Sequence, residues 1–173
     1  MKVSIINSCY RGERYLNSFF DSISMQSIFP DLELVLVHND PTPEELLIVQ
    51  NFKQKFPKNL NHIIVPRENV ARSMNRAITQ AQGAFIATWD MDDIRTPDSL
   101  EKQAQTLIKN PDIGCTYGDF IISPKYGDLS GKYIHCREYS KKGFTRGMHC
   151  GPFRMWRKDI HQTIGFHDEQ FIS

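Results

Sequence analysis

Three carboxylates lie within four consecutive residues, Asp90, Asp92 and Asp93, with Met91 between the first two. They follow Phe85-Ile86-Ala87-Thr88-Trp89, an apolar run that reads as a buried strand, so the charges leave one rigid element together. Like charges this close repel unless a cation joins them. Hard divalent ions such as Mg2+ and Mn2+ take oxygen ligands from one or two carboxylates, completed by waters and phosphates, and that chemistry fits the group. The competing reading is a solvated acidic turn that caps a helix beginning near Pro97, because acidic side chains favour helix N-termini without any metal. The pairs His135-Cys136 and His149-Cys150 raise a zinc reading. However, Cys9, Cys115, Cys136 and Cys150 show no Cys-x-x-Cys spacing, and free thiols are expected.

The elements that position these residues follow from hydrophobic periodicity. Residues 3–6 read as a short buried strand, after which Tyr15, Leu16, Phe19, Phe20 and Ile23 recur at helical spacing. Residues 32–37 form a second strand that ends at His38-Asn39-Asp40. Thr42 then caps a helix, with Pro43 at its first position and Glu45 completing a capping box. Residues 62–65 are a third strand, and Ala71, Met74, Ile78 and Ala81 draw a helical stripe closed by Gly83 as C-cap. Residues 84–89 are the fourth strand. Beyond it, Thr96 is expected to cap a helix with Pro97 in its first turn, and residues 113–117 and 120–123 with a Gly-rich turn at 126–131 predict mixed sheet and loops.

Strands alternating with helices predict an α/β fold in which a mostly parallel sheet carries helices on both faces and binds ligands beyond the carboxyl ends of its strands. Tyr10 and Arg11, Asn39 and Asp40, residues 67–69 and residues 90–93 would then converge on one rim. The length of 173 residues suits one domain. With 21 basic against 20 acidic residues and a formal charge of +1, no field of one sign draws in nucleic acid or an anionic membrane. Val3-Ser4-Ile5-Ile6 is too short for a signal-peptide core, and no apolar stretch approaches the roughly 20 residues that cross a bilayer, so a cytoplasmic location is expected.

The motifs, taken in order, resemble the family 2 glycosyltransferases of the GT-A fold over nearly the whole chain. Val3-Ser4-Ile5-Ile6-Asn7-Ser8-Cys9-Tyr10-Arg11 is similar to the family's first strand and substrate loop, and residues 34–43 to its second strand and acidic turn. Glu68-Asn69, Ser73-Met74-Asn75-Arg76-Ala77 and Gly83-Ala84-Phe85-Ile86-Ala87 resemble the approach to its metal motif, and Trp89-Asp90-Met91-Asp92-Asp93 resembles that motif. Arg154-Met155-Trp156-Arg157 and residues 165–171 resemble its acceptor-side segment.

The resemblance implies a donor half over residues 1–95 and a partial acceptor half over 96–173. It implies an inverting, metal-dependent transfer of sugar from a UDP donor to a glycan or lipid-linked acceptor in surface polysaccharide synthesis, at the inner face of the membrane through segments outside this chain. Asp40 would accept the imide N–H of uracil, and Tyr10 would stack on or line the base beside Ser8 and Arg11, although a core-edge tyrosine reads equally well. Asp90 and Asp92 would hold Mn2+ or Mg2+, with Asp90 and Met91 also near the nucleotide, and Asp93 would orient the sugar. Arg72 and Asn75, on the polar face of the third helix with Arg76 and Thr79, would help balance the diphosphate, against a plain solvated face. His149 lies in a segment similar to one in bacterial glycosaminoglycan-type polymerases where a histidine approaches the metal, against an ordinary structural histidine. The family's catalytic base lies shortly after the segment matched by residues 165–171, so the base is expected beyond Ser173. Neither Asp168 nor Glu169 receives that role, and the chain is expected to bind donor but transfer sugar poorly. Two other functions compete. One is a non-catalytic nucleotide-sugar-binding module. The other is a phosphatase of haloacid-dehalogenase type, whose Asp-x-Asp loop would follow the first strand rather than the fourth.

Overall fold

The computed structural model describes residues 2–147 and 150–170. Its principal sheet has the order β3-β2-β1-β4-β8-β5. The strands β1 (Val3–Cys9), β2 (Leu32–Asn39), β3 (Leu60–Val65) and β4 (Phe85–Thr88) are parallel. The short β8 (Met155–Arg157) is inserted antiparallel between β4 and β5 (Cys115–Thr116). A separate hairpin pairs β6 (Phe120–Ile122) with β7 (Lys132–Ile134) around the expected Gly-rich turn.

Period-two alternation in the central strands sends apolar side chains to both faces of the sheet. Ile5, Leu34 and Leu36 pack on one side against Phe19 of α1 (Glu13–Ser24), Phe52 of α2 (Pro43–Lys55) and Leu107 of α4 (Ser99–Lys109). Ile6, Val35 and Val37 pack on the other against Ala77 and Ile78 of α3 (Val70–Gln80) and against Trp156. Each fully buried side chain of this size contributes on the order of 2 kcal/mol, so β1 and β2, covered on both faces, anchor the fold. Two four-residue helices, α5 (Lys141–Phe144) and α6 (His161–Ile164), complete the set. Among the described residues, no helix is long and apolar enough to cross a membrane.

The capping box at α2 forms as expected: Thr42 Oγ1 accepts from Glu45 N at 3.2 Å, and Glu45 Oε2 accepts from Thr42 N at 2.7 Å. Two other expected caps are corrected. Helix α3 ends at Gln80 with Ala81 as its C-cap, not Gly83. Gly83 is required for close approach instead, because a Cβ there would lie 2.7 Å from Ser4 N and 2.8 Å from Lys2 O. Helix α4 begins at Ser99 with Asp98 at the N-cap position, so Thr96 does not cap it and Pro97 lies before its first turn. The Thr96 hydroxyl donates to Asp98 Oδ1 at 3.0 Å.

Candidate functional site

Strands β1, β2 and β4 start level, Val3 pairing with both Leu32 and Phe85, and β4 ends opposite Ile6, so the turn after it runs alongside the end of β1. Their polar tips therefore meet. The turn after β4 is fixed from beneath by Trp89, which is 1% exposed and meets Phe19 edge to face at 5.8 Å. The Trp89 carbonyl accepts from the buried Asn7 amide at 2.7 Å, and its indole N–H donates to Asp93 O at 3.0 Å. Asp93 N closes the turn on Asp90 O at 3.0 Å. The acidic group is thus anchored to the core of β1 and β4, and it stands apart from the start of α4, which removes the helix-capping alternative.

Two cavities meet at this turn. A cleft of about 680 Å3 is lined by Ser8, Tyr10, Arg11, Asp90, Met91 and Asp92, among others. A larger cavity of about 890 Å3 reaches from Asp92 and Asp93 to the β6–β7 hairpin, including Asp119, Tyr126 and Phe153. Asp92 borders both. Ser8, Tyr10, Arg11, Asp90, Met91 and Asp92 thus share the first cleft with Asn39 and residues 67–69, while Asp93 faces the second.

Asp40, Arg72 and Asn75 do not line that cleft. Asp40 has a left-handed backbone, φ 41°, and it is Asn39 that faces inward. Asn75 donates to His167 O and to Glu169 Oε1, each at 2.9 Å, and Arg72 Nε lies 3.4 Å from Glu169 Oε2. Their polar face thus holds the 167–169 segment, and Arg76 is committed to Glu68 at 2.9 Å. His149 lies outside the described residues.

Tyr10 is 43% exposed at the cleft mouth, which excludes the core-edge reading, and the Arg67 guanidinium lies 3.7 Å from its ring centroid. Arg11 beside it has a left-handed φ of 54°, backbone strain of the kind that concentrates at binding loops. A Cβ on Gly12 would overlap the Met91 sulfur, so this glycine lets the β1 loop close onto the acidic turn.

The charges in the turn are poorly compensated. Desolvation first, and Asp92 second, push the Asp90 carboxyl above its ordinary value. Asp93 rises to about 6, through burial and then through Asp90 and Asp92. The counter-charges are Arg154, acting on Asp90, and Arg95, 5% exposed, which donates to Thr88 O and Gln103 Oε1 and is itself lowered to about 10 by burial. Oxygen donors crowded until two of them resist ionisation suit a hard divalent cation.

Sequence reasoning gave no role to Asn7 or Asp119, and it placed Asn39 on the rim without a specific contact. Asn39 accepts from Glu68 N at 2.9 Å and donates to Ser73 Oγ at 3.1 Å, locking the loop after β3. Asp119 in the larger cavity is held down to about 2, by the Tyr133 hydroxyl first and then by His135. Asn7 could have been found, since a polar residue inside an apolar strand needs a partner. Asp119 sits among weak strands with no comparable signal.

Comparison with known proteins places the chain in a family. The model of the family "Glycosyl transferase family 2" matches residues 4–165. A chondroitin synthase of Pasteurella multocida is 26% identical over 168 residues, covering 96% of this chain and 17% of that protein. The glycosyltransferase MJ1057 of Methanocaldococcus jannaschii is 26% identical over 178 residues, 98% of this chain and 60% of its own length. The chain therefore spans a minor part of the first of these relatives and under two thirds of the second. In structure, residues 1–349 of TarS from S. aureus in complex with UDP superpose with a TM-score of 0.74 at 19% identity, covering all of this chain and 52% of that one. The mannosyltransferase PcManGT of Pyrobaculum calidifontis, in complex with GDP-Man and Mn2+, gives 0.72 at 17% identity, with 95% and 47% covered. An acidic loop after the fourth strand and a match along the chain exclude the haloacid-dehalogenase alternative. The fold is that of the GT-A glycosyltransferases, and the chain belongs to glycosyl transferase family 2.

Proposed function

We propose that the chain binds a nucleotide-diphosphate sugar, with UDP as the nucleotide, across the acidic turn, and serves an inverting transfer of the sugar to a glycan or lipid-linked acceptor. The observation that carries this reading is that Asp92 borders both cavities. A donor has two ends that need different surroundings, and one residue between two cavities can hold the diphosphate where they meet.

In this reading the smaller cleft takes the nucleoside. Tyr10 offers a ring face already backed by Arg67, while Ser8 and Arg11 supply polar contacts. Asp40 is not among the residues lining this cleft, whereas its neighbour Asn39 is. Asp90 and Asp92 would hold Mn2+ or Mg2+, which when bound neutralises the charge building on the leaving diphosphate. Asp93, facing the larger cavity, orients the sugar, and the aromatic and acidic lining around Tyr126, Phe153 and Asp119 receives the acceptor. Relatives named for chondroitin, hyaluronan and teichuronic acid synthesis support a role in building polysaccharides.

Calorimetric titration with UDP, GDP and CDP, each with and without Mn2+, tests the proposal. UDP should bind best and only with the cation. Equal binding of all three, or UDP binding indifferent to Mn2+, overturns it.

A further inference from the structure

Behind the nucleotide cleft lies a second group of ligand atoms that the proposed function does not use. Cys9 ends the buried part of β1, His38 is the penultimate residue of β2, and Glu45 is the third residue of α2. All three are buried. The Cys9 sulfur, a ring nitrogen of His38 and a carboxylate oxygen of Glu45 lie within 4.8 Å of one another. Among the described residues, this is the group of His, Cys, Asp and Glu whose ligand atoms converge in this way. We infer that Cys9, His38 and Glu45 form a zinc-binding site that braces the loop carrying Tyr10 and Arg11.

Two separations, measured to the two oxygens of Glu45, approach what a zinc shell requires, and the three ligand atoms all lie within 4.8 Å of one another. Ligands about 2.0–2.3 Å from a tetrahedral ion stand roughly 3.3–3.8 Å from one another. His38 Nε2 lies 3.4 Å from Glu45 Oε2, and Cys9 Sγ lies 3.9 Å from Glu45 Oε1. His38 Nε2 is buried yet has no hydrogen-bond partner. The other ring nitrogen, Nδ1, lies 3.1 Å from His62 Nε2. With its proton on Nδ1 and donated to His62, His38 turns a bare lone pair toward the carboxylate and the thiol, the arrangement by which an outer partner orients a metal-binding histidine.

The donor set also selects the ion. Sulfur with imidazole favours zinc, whereas the all-oxygen turn at Asp90 and Asp92 favours harder cations. Charge balance points the same way. When the sulfur–zinc bond forms, the thiol proton leaves to solvent, and thiolate plus carboxylate cancel the two charges of the ion. Glu45 Oε1 also accepts from Gly12 N at 2.6 Å, so an ion on this carboxylate is tied directly to the cleft loop.

Zinc alone is the probe. The metal-stripped chain is titrated with Zn2+ against a chromophoric chelator, and its zinc-edge X-ray absorption is recorded. One equivalent should bind, with one sulfur among its ligands. Cys9→Ala should lower affinity by about 100-fold or more, since a ligand is lost outright. Asp92→Asn, and a variant with Cys115, Cys136 and Cys150 all changed to Ser, should keep it. The absorption measurement uses the unaltered chain and so stands even if Cys9→Ala fails to fold. A zinc shell without sulfur, failure to bind tightly, or unchanged affinity in Cys9→Ala overturns the inference. None of these outcomes bears on Asp92 and the nucleotide, which are tested separately.

Discussion

The sheet around β1 and β2 and the segment around the β6–β7 hairpin face the same acidic turn but are built on different terms. In the first, β1 and β2, of seven and eight residues, are paired in parallel register and almost wholly buried, with every residue of β2 buried. Their polar residues are tied inward, Asn7 to Trp89, Ser4 to Glu33 and Asn39 to Ser73. In the second, two three-residue strands and their turn leave Ile121, Ile122, Leu129 and Tyr133 exposed. Its links to the first region include the ring contact of Tyr126 with Tyr15 at 5.5 Å. The difference teaches that the acidic turn belongs to the rigid region, which holds charges in place against their own repulsion. The other wall of the larger cavity rests on short strands with few buried side chains.

Substitutions should divide along this line. The largest effect is expected at Asp92, where replacement by Asn should weaken Mn2+-dependent UDP binding by at least about 100-fold while leaving the fold intact, read by calorimetry and circular dichroism. Next, Gly83→Ala should destabilise the chain by about 2–3 kcal/mol in chemical denaturation, because the contacting atoms at Ser4 and Lys2 include backbone that must move. Asn7→Ala should cost about 1–2 kcal/mol of stability and loosen UDP binding severalfold by freeing the Trp89 carbonyl. If Asn7→Ala left both unchanged, the claim that the turn is held from β1 would fail.

A smaller effect depends on pH. Asp93 titrates at about 6 when folded, above its ordinary value of 3.8. A raised carboxyl favours folding while protonated, and that contribution is lost as pH rises from about 4 through about 6. Asp93→Asn should therefore stabilise the cation-free chain by about 1 kcal/mol at pH 7.5 and by almost nothing at pH 4, seen as thermal midpoints. The smallest effect is expected in the hairpin. Leu129→Ser, at 75% exposure, should alter stability by less than about 0.5 kcal/mol, and a larger loss would show that the two regions are coupled more tightly than their contacts indicate.

The same contrast governs what could be read from the residues alone. Long apolar runs and a complete capping box made β1 to β4 and α1 to α3 legible, because period and cap chemistry are local. The acidic turn was legible for the same reason. The misplaced cap depended on contacts distant in sequence, because Gly83 answers to Ser4, and which of Asn39 and Asp40 lines the cleft could not be read from adjacent positions. Arg72 and Asn75 stand on a polar helix face, as periodicity indicated, but periodicity cannot say that Glu169 covers them. The hairpin and β8 carry too few residues for a periodic signal.

The most direct test of the account is anomalous diffraction from crystals soaked with Mn2+ and UDP. The account predicts one manganese peak bounded by the carboxylates of Asp90 and Asp92, with the diphosphate on its far side and uracil near Tyr10. A peak away from both carboxylates, or UDP seated in the cleft with no ion beside Asp92, would contradict it.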